Sequence, residues 1–273
     1  MKKLEVELSI VTIDKDESFT NYFSEFESVL IANQSSGYGF HEQGKVRMIT
    51  TSTRGVGINR NIGLLLAEGD IVLFGDDDME YEQDVFQIAR NAFDEIPEAD
   101  IIIFNLKYKD VKGSANKRRT NSRVKKIGRL SYQNYGAPRI AIRLSSQRAA
   151  NIWFSTLFGG GAKYNAGEDV LFLQSALKAR LNIFSFPCTI ATTDLSNSSW
   201  NRGYNKKFFF DKGALFAALS SRLFSLLIVQ YAVRHSEIYS EIGLTEALRL
   251  MFEGARAFKA GAVYSDVYFD AKN

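Results

Sequence analysis

Apolar positions along this chain fall into short runs divided by stretches of helical spacing. Residues 8–13 form an apolar, β-branched run that predicts a buried strand, and 29–32 and 46–49 repeat the pattern. Phe19, Phe23 and Phe26 recur at helical spacing within 16–27. Residues 59–67 predict a helix with Ile62, Leu65 and Leu66 inward and Gly69 as its stop. The strand at 71–74 runs straight into Gly75 and three aspartates, and a helix (83–93) and a buried strand (101–104) follow. Further on come a strand at 139–144, an amphipathic helix at 170–179, and short strands at 183–186 and 189–192 flanking Pro187. Strands alternating with helices predict an α/β fold: a mostly parallel, doubly wound sheet with helices on both faces. From residue 206 the pattern is helical, so the chain divides into a sheet-bearing part (1–205) and a C-terminal helical extension (206–273). Ligands of such sheets gather at the carboxyl ends of the strands, where Asn33 and Asp76 to Asp78 fall.

Composition narrows the field. With 45% hydrophobic and 24% charged residues the chain is globular, and a net charge of +3 is too small to argue for nucleic acid. The basic charge is uneven, because residues 107–129 hold ten Lys or Arg against the single acid Asp110. Cys188 is the only cysteine, which excludes an internal disulfide and suits a reducing compartment. No apolar signal core follows Met1-Lys2-Lys3, so the expected location is cytoplasmic. His41 and His235 are the only histidines, so any metal must be held mainly by oxygen. Residues 213–233 are apolar apart from Arg222 and approach the length of a membrane span. Ser220, Ser221 and Gln230 interrupt them, which favours a packed helix over a spanning one. A third reading lays that helix on the inner face of the membrane as a peripheral contact. The basic stretch is then drawn to anionic lipid, whereas its plain alternative is a solvated hairpin.

Three motifs carry candidate chemistry. Adjacent carboxylates at Asp76, Asp77 and Asp78 repel one another, and a fold that keeps them at a strand end needs a compensating cation. In extended backbone Asp76 and Asp78 share one side, which suits a hard divalent ion, Mn²⁺ or Mg²⁺, shared with a diphosphate. A solvated acidic turn is the plain alternative, and the position after an apolar strand favours function. Glu168 and Asp169 follow Gly167 at a predicted helix start, where acids also act as simple caps. Their functional reading is a general base that stays ionised at the helix amino end, with the flexible loop Gly159-Gly160-Gly161 letting an acceptor approach. The stretch from Gly55 through Gly57 to Gly63 is a poor dinucleotide fingerprint, but Arg60 and Asn61 stand where they can reach a nucleotide; surface packing is the alternative. Trp200 and Arg202 suit a lid over donor or acceptor that stacks on a sugar and pairs with a diphosphate; packing of an aromatic-rich loop is the plain alternative.

Taken together these residues resemble family 2 glycosyltransferases of the GT-A fold, over roughly residues 8–205. The resemblance rests on the first strand Leu8 to Ile13, on Asn33 ending the second, on Arg60-Asn61-Ile62-Gly63, on Asp76-Asp77-Asp78 and on Gly167-Glu168-Asp169. It implies a nucleotide-sugar pocket lined by Thr12, Ile13, Asp14, Asn33, Arg60, Asn61, Asp76 and Asp77. It also implies a metal on Asp78 and Asp76, and Asp169 as the base beside Glu168. Asn33 stands where aspartate is more frequent. Asp194 stands where many relatives place a histidine ligand, and it offers the metal an oxygen instead. The implied reaction is inverting hexosyl transfer from a UDP-sugar to a glycan or lipid-linked saccharide, of the kind that builds bacterial capsule or exopolysaccharide. Two rivals remain. A nucleotidyltransferase should carry a basic Gly-rich loop after the first strand, where Ile13-Asp14-Lys15-Asp16 offers mostly acids. A non-catalytic carbohydrate-binding relative should have lost an acidic motif, and neither is missing. Donor sugar, acceptor linkage and oligomeric state stay open.

Overall fold

The computed structural model describes residues 3–109, 120–194, 204–239 and 242–268. Four strands, β1 (Val6–Ile13), β2 (Val29–Gln34), β4 (Val46–Thr51) and β5 (Ile71–Asp76), run parallel in the order β4-β2-β1-β5. The side chains of β1, β2 and β5 are buried on both faces, as near-continuous apolar runs require, whereas β4 buries only Val46 and Met48. β3 (Gly39–Gln43) borders β4 antiparallel at one edge. Beyond β5 the order continues with β9 (Ile140–Arg143), β7 (Ile101–Lys109), β10 (Ile183–Asp194) and β6 (Met79–Tyr81), and the short β8 (Lys125–Lys126) also pairs with β10. One face carries α2 (Val85–Glu95) over Leu8, Ile10 and Leu73. The other carries Leu64 of α1 (Val56–Leu66) and Phe172 of α4 (Glu168–Lys178) over Val72 and Phe74. The short helix α3 (Leu144–Ala150) follows β9 directly.

The doubly wound sheet is as expected, with four local differences. β9 enters the centre antiparallel to both β5 and β7, because an apolar run carries no information about strand direction. β10 is one strand rather than two; it absorbs Pro187, which lacks an N–H, through register shifts between Ser185 and Thr189 and between Thr189 and Ala191. Within 16–27 only a 3₁₀ segment, Glu17–Phe23, forms, and Phe26 stacks edge-on against Tyr81 and Phe86 instead of extending a helix. The Gly159 to Gly161 loop is pinned rather than flexible. Gly159 N–H donates to the Tyr164 carbonyl at 2.9 Å, and Val56 N–H to the Gly160 carbonyl at 2.8 Å.

The helical extension forms α5 (Lys206–Leu219), α6 (Phe224–Arg234), α7 (Leu244–Ala260) and α8 (Tyr264–Tyr268) around a cluster that also takes in Phe158 and Tyr164. Residues 213–233 therefore break near Ser220, and no described helix is long and apolar enough to cross a membrane. α5 also fastens onto the sheet-bearing part. Asp211 accepts the Asn165 N–H at 3.0 Å, and Gln174 Nε2 donates to the Leu219 carbonyl at 3.0 Å. Where α5 crosses α7 two glycines let the backbones touch: a Cβ on Gly213 would lie 1.8 Å from the Met251 carbonyl oxygen, and one on Gly254 1.9 Å from that of Phe210. Gly213→Ala should gain about 0.5–1 kcal/mol of helix propensity. Forcing the helices apart costs more, so the net expectation is a loss of about 1–3 kcal/mol in urea unfolding. A stabilised variant would show that the crossing is looser than described.

Candidate active site

The centre of the site is a buried arginine. Gly55, whose φ of 118° an L side chain would resist, precedes α1, and the helix places Asn59 and Arg60 under the strand ends. Asn59 Nδ2 donates to the Thr12 carbonyl at 3.2 Å and the Ala32 carbonyl at 2.9 Å, tying α1 to β1 and β2. Arg60, 4% exposed, then reaches both acidic motifs. Its Nη2 lies 3.0 Å from Asp76 Oδ1 and its Nη1 2.7 Å from Glu168 Oε1, with the guanidinium 5.6 Å from the Phe154 ring centre. Burial alone would loosen its proton, but the charges of Asp76, Glu168 and Asp169 more than offset this and push its pKa up. Segments 108 residues apart are thus joined by one ion-pair bridge.

The three aspartates separate from here. β5 ends at Asp76, and Asp77 and Asp78 form a turn, so the alternation of an extended strand does not apply to them. Burial raises the Asp76 carboxyl, which Arg60 only partly offsets. Asp77 accepts the Thr12 hydroxyl at 2.5 Å, linking the ends of β5 and β1. Asp78 is exposed at the surface; burial of part of its carboxyl, then the charges of Asp76, Asp77 and Asp194, push it up. Met79 pairs with Thr193, so Asp78 and Asp194 come together at the open end of that ladder. Among the described residues no three His, Cys, Asp or Glu side chains are grouped to hold a metal. The pair Asp78 and Asp194 still fits a hard cation, since both donors are oxygen and the repulsion that raises Asp78 is what such an ion removes. Asp76 is less suited, because its Oδ1 is held by Arg60.

Glu168 and Asp169 open α4 after Gly167 at φ 118°. They take different parts. Glu168 is buried and bound, Oε1 by Arg60 and Oε2 by the Gly167 N–H at 3.2 Å, so it braces the site rather than serving as a second base. Asp169 Oδ1 accepts the Val170 N–H at 2.7 Å, while Oδ2 faces Gly136, where an added Cβ would lie 3.5 Å away. Burial and the Glu168 charge push Asp169 up to about 7, against the Val170 N–H, Arg60 and Lys212. The expectation that the helix amino end keeps it fully ionised is therefore corrected: burial and a like charge outweigh the helix terminus.

Several expected nucleotide contacts have other work. Asn33, 1% exposed, donates to the Lys15 carbonyl at 2.8 Å and to Thr50 Oγ1 at 3.1 Å and accepts the Lys15 N–H at 3.2 Å, so its amide shapes the pocket wall and presents no free edge to a base. Asn61 is clamped to the Phe154 backbone, accepting its N–H at 2.8 Å and donating to its carbonyl at 2.9 Å. Arg60 is likewise turned into the protein. Thr12 is buried, whereas Ile13 and Asp14 are exposed at the end of β1, Asp14 at φ 51° with its N–H on the Gln34 carbonyl at 2.8 Å. Trp200 and Arg202 lie outside the described residues. Sequence reasoning missed two residues: Asn59, which looks like any helix asparagine, and Lys212. The Lys212 ammonium, from α5, lies 5.4 and 5.3 Å from the Phe208 and Tyr231 ring centres. Burial lowers its pKa against the opposing charge of Asp169.

Residues 24–151 match the model of glycosyl transferase family 2, a span that includes Arg60 and Asp76 to Asp78 and ends before Asp169. The crystal structure of S. aureus TarS 1–349 in complex with UDP-GlcNAc is 13% identical with a TM-score of 0.62, over 96% of this chain and 93% of that one. The complex of the same protein with UDP is 15% identical with a TM-score of 0.60, over the same shares. A longer TarS structure is 15% identical with a TM-score of 0.60, over 93% of this chain and 50% of that one. No curated protein matches the chain. At these identities the structural likeness speaks for the fold. Just under half of the chain is thus similar to glycosyltransferase family 2, and the fold is of the GT-A kind.

Removing the bridge should be costly. Arg60→Met leaves two buried carboxylates uncompensated, with an expected loss of about 3–5 kcal/mol. Adding Asp76→Asn and Glu168→Gln to that variant should recover much of the loss. Equal urea midpoints for wild type and the single variant would show that the bridge is not structural.

Proposed function

We propose that this chain is an inverting glycosyltransferase that moves a sugar from a UDP-sugar to a hydroxyl of a glycan or lipid-linked saccharide, in bacterial surface-glycan synthesis. One observation carries the reading: Arg60 holds the aspartate turn and the Glu168-Asp169 pair in one centre, so donor and base meet there. The structural neighbours with UDP-GlcNAc and UDP bound support a uridine nucleotide as donor.

In this reading the diphosphate lies over the carboxyl ends of β1 and β5, beside Thr12, Ile13, Asp14 and Asp77. Asp78 with Asp194 would hold Mn²⁺ or Mg²⁺, which when bound supplies positive charge to the departing diphosphate. Asp169 Oδ2 takes the proton of the acceptor hydroxyl. The acceptor oxygen then bonds to the anomeric carbon from the face opposite the diphosphate, whose bond to that carbon breaks, giving inversion. A base near neutrality suits this step, since it is ionised before transfer and still accepts a proton readily. The protein works in the cytoplasm in this account, at the source of nucleotide sugars.

Donor turnover is measured as UDP release from UDP-GlcNAc and other UDP-sugars with Mn²⁺ present. Asp169→Asn should keep UDP binding and lower turnover by about two to four orders of magnitude. Turnover comparable to wild type would remove Asp169 from the role. Because Asp169 titrates near 7 and acts as the carboxylate, turnover should fall as pH drops through that value. Lys212→Met removes a charge that favours the carboxylate, so the acidic limb should move to higher pH. A limb unmoved by that change would place Lys212 outside the field of the base.

A further inference from the structure

The helical extension carries an apolar surface that its own core does not use. α6 buries Ile228 and Ala232 inward. On its opposite side Leu226, Val229 and Val233 are 64%, 49% and 76% exposed, and Leu223, just ahead of the helix, is 58% exposed. Spacings of three and four residues align Leu226, Val229 and Val233 in one outward stripe. A helix apolar on two opposite sides is ill-suited to a water boundary. The charges beside it are of one sign: residues 220–235 contain Arg222 and Arg234, both exposed, and no Asp or Glu. Next to the stripe the turn between α5 and α6 opens on a cleft of about 640 Å³, with Ala217, Leu219 and Phe258 as apolar lining and Lys178 and Arg222 as its cations. Apolar lining beside paired cations matches acyl chain beside phosphate.

We infer that α6 and this turn dock on an anionic lipid surface. Leu223, Leu226, Val229 and Val233 enter the acyl boundary, and Arg222, Arg234 and Lys178 meet the phosphates. No described helix can cross the bilayer, so the contact is lateral. A second copy of the chain is the rival occupant, and charge disfavours it. Antiparallel pairing of α6 about a two-fold axis sets Arg222 against Arg234, and parallel pairing sets Arg222 against itself, with no acid on the helix to neutralise either. The inference uses no residue of the catalytic centre and stands apart from the functional reading.

Flotation of the full chain with phosphatidylcholine vesicles, with and without one-third phosphatidylglycerol, tests it. The wild type should float with the anionic vesicles, remain behind with the neutral ones, and be released by salt. Leu226→Glu with Val229→Glu should abolish flotation while leaving circular dichroism and melting unchanged, since both positions are exposed. Arg222→Gln and Arg234→Gln should each lower partitioning about fivefold. A wild type that stays soluble with anionic vesicles overturns the inference, and so does a Leu226→Glu, Val229→Glu variant that floats as well as wild type. Sedimentation showing a dimer that the same variant dissolves, without vesicle binding, would give the stripe to a second copy.

Discussion

Arg60 is the constraint on which the rest of this structure depends. A guanidinium out of water is costly on its own, and so is each carboxylate it meets; the arrangement persists because each carboxylate takes one guanidinium nitrogen. Asp76 takes one nitrogen, Glu168 the other, and the Phe154 ring lies against the guanidinium. This bond joins the end of β5 to the start of α4, elements that meet only through the tertiary fold. Neighbouring residues serve it: Asn59 locks α1 to the strand ends, and Asn61 clamps Phe154. Gly159, where any Cβ would lie 2.9 Å from the Glu168 carboxyl, leaves that side chain its place.

Once the bridge is in place, the acidic residues divide by environment rather than by type. Asp76 and Glu168 are engaged with Arg60, Asp77 with Thr12, and Asp78 faces outward toward Asp194. Asp169 turns one carboxylate oxygen to the backbone at Gly136 and has its pKa raised to about 7. Separating carboxylates in this way is how a protein assigns binding and proton transfer to chemically identical groups. The helical extension takes part in this division. Leu215 of α5 fills the space above Gly167, where a Cβ would lie 2.5 Å from its Cδ1, and Lys212 of the same helix adds positive charge beside Asp169.

What the amino-acid pattern disclosed, and what it hid, follows from how local each signal is. The apolar run ahead of Asp76 and the helix start at Glu168 are local features, and both acidic motifs stand where the pattern put them. Strand direction is not local, so the antiparallel β9 was hidden. Amide side chains were equally opaque: Asn33 and Asn61 are equipped to read a base and equally equipped to hold backbone, and only the neighbouring Lys15 and Phe154 decide. Arg60 stood out as a candidate but not as a bridge, because its partners lie 16 and 108 residues away. The effect of Lys212 on Asp169 depends on how α5 docks, which no spacing within α5 encodes.

The most direct test of the account is a crystal structure of the chain with Mn²⁺ and an unhydrolysed uridine-diphosphate sugar. It should show an anomalous manganese peak between Asp78 and Asp194. The anomeric carbon should lie on the side of the diphosphate that Asp169 faces, with the ion pairs of Arg60 intact. A donor bound away from the ends of β1 and β5, or Arg60 released from Glu168 to hold the diphosphate itself, would contradict it.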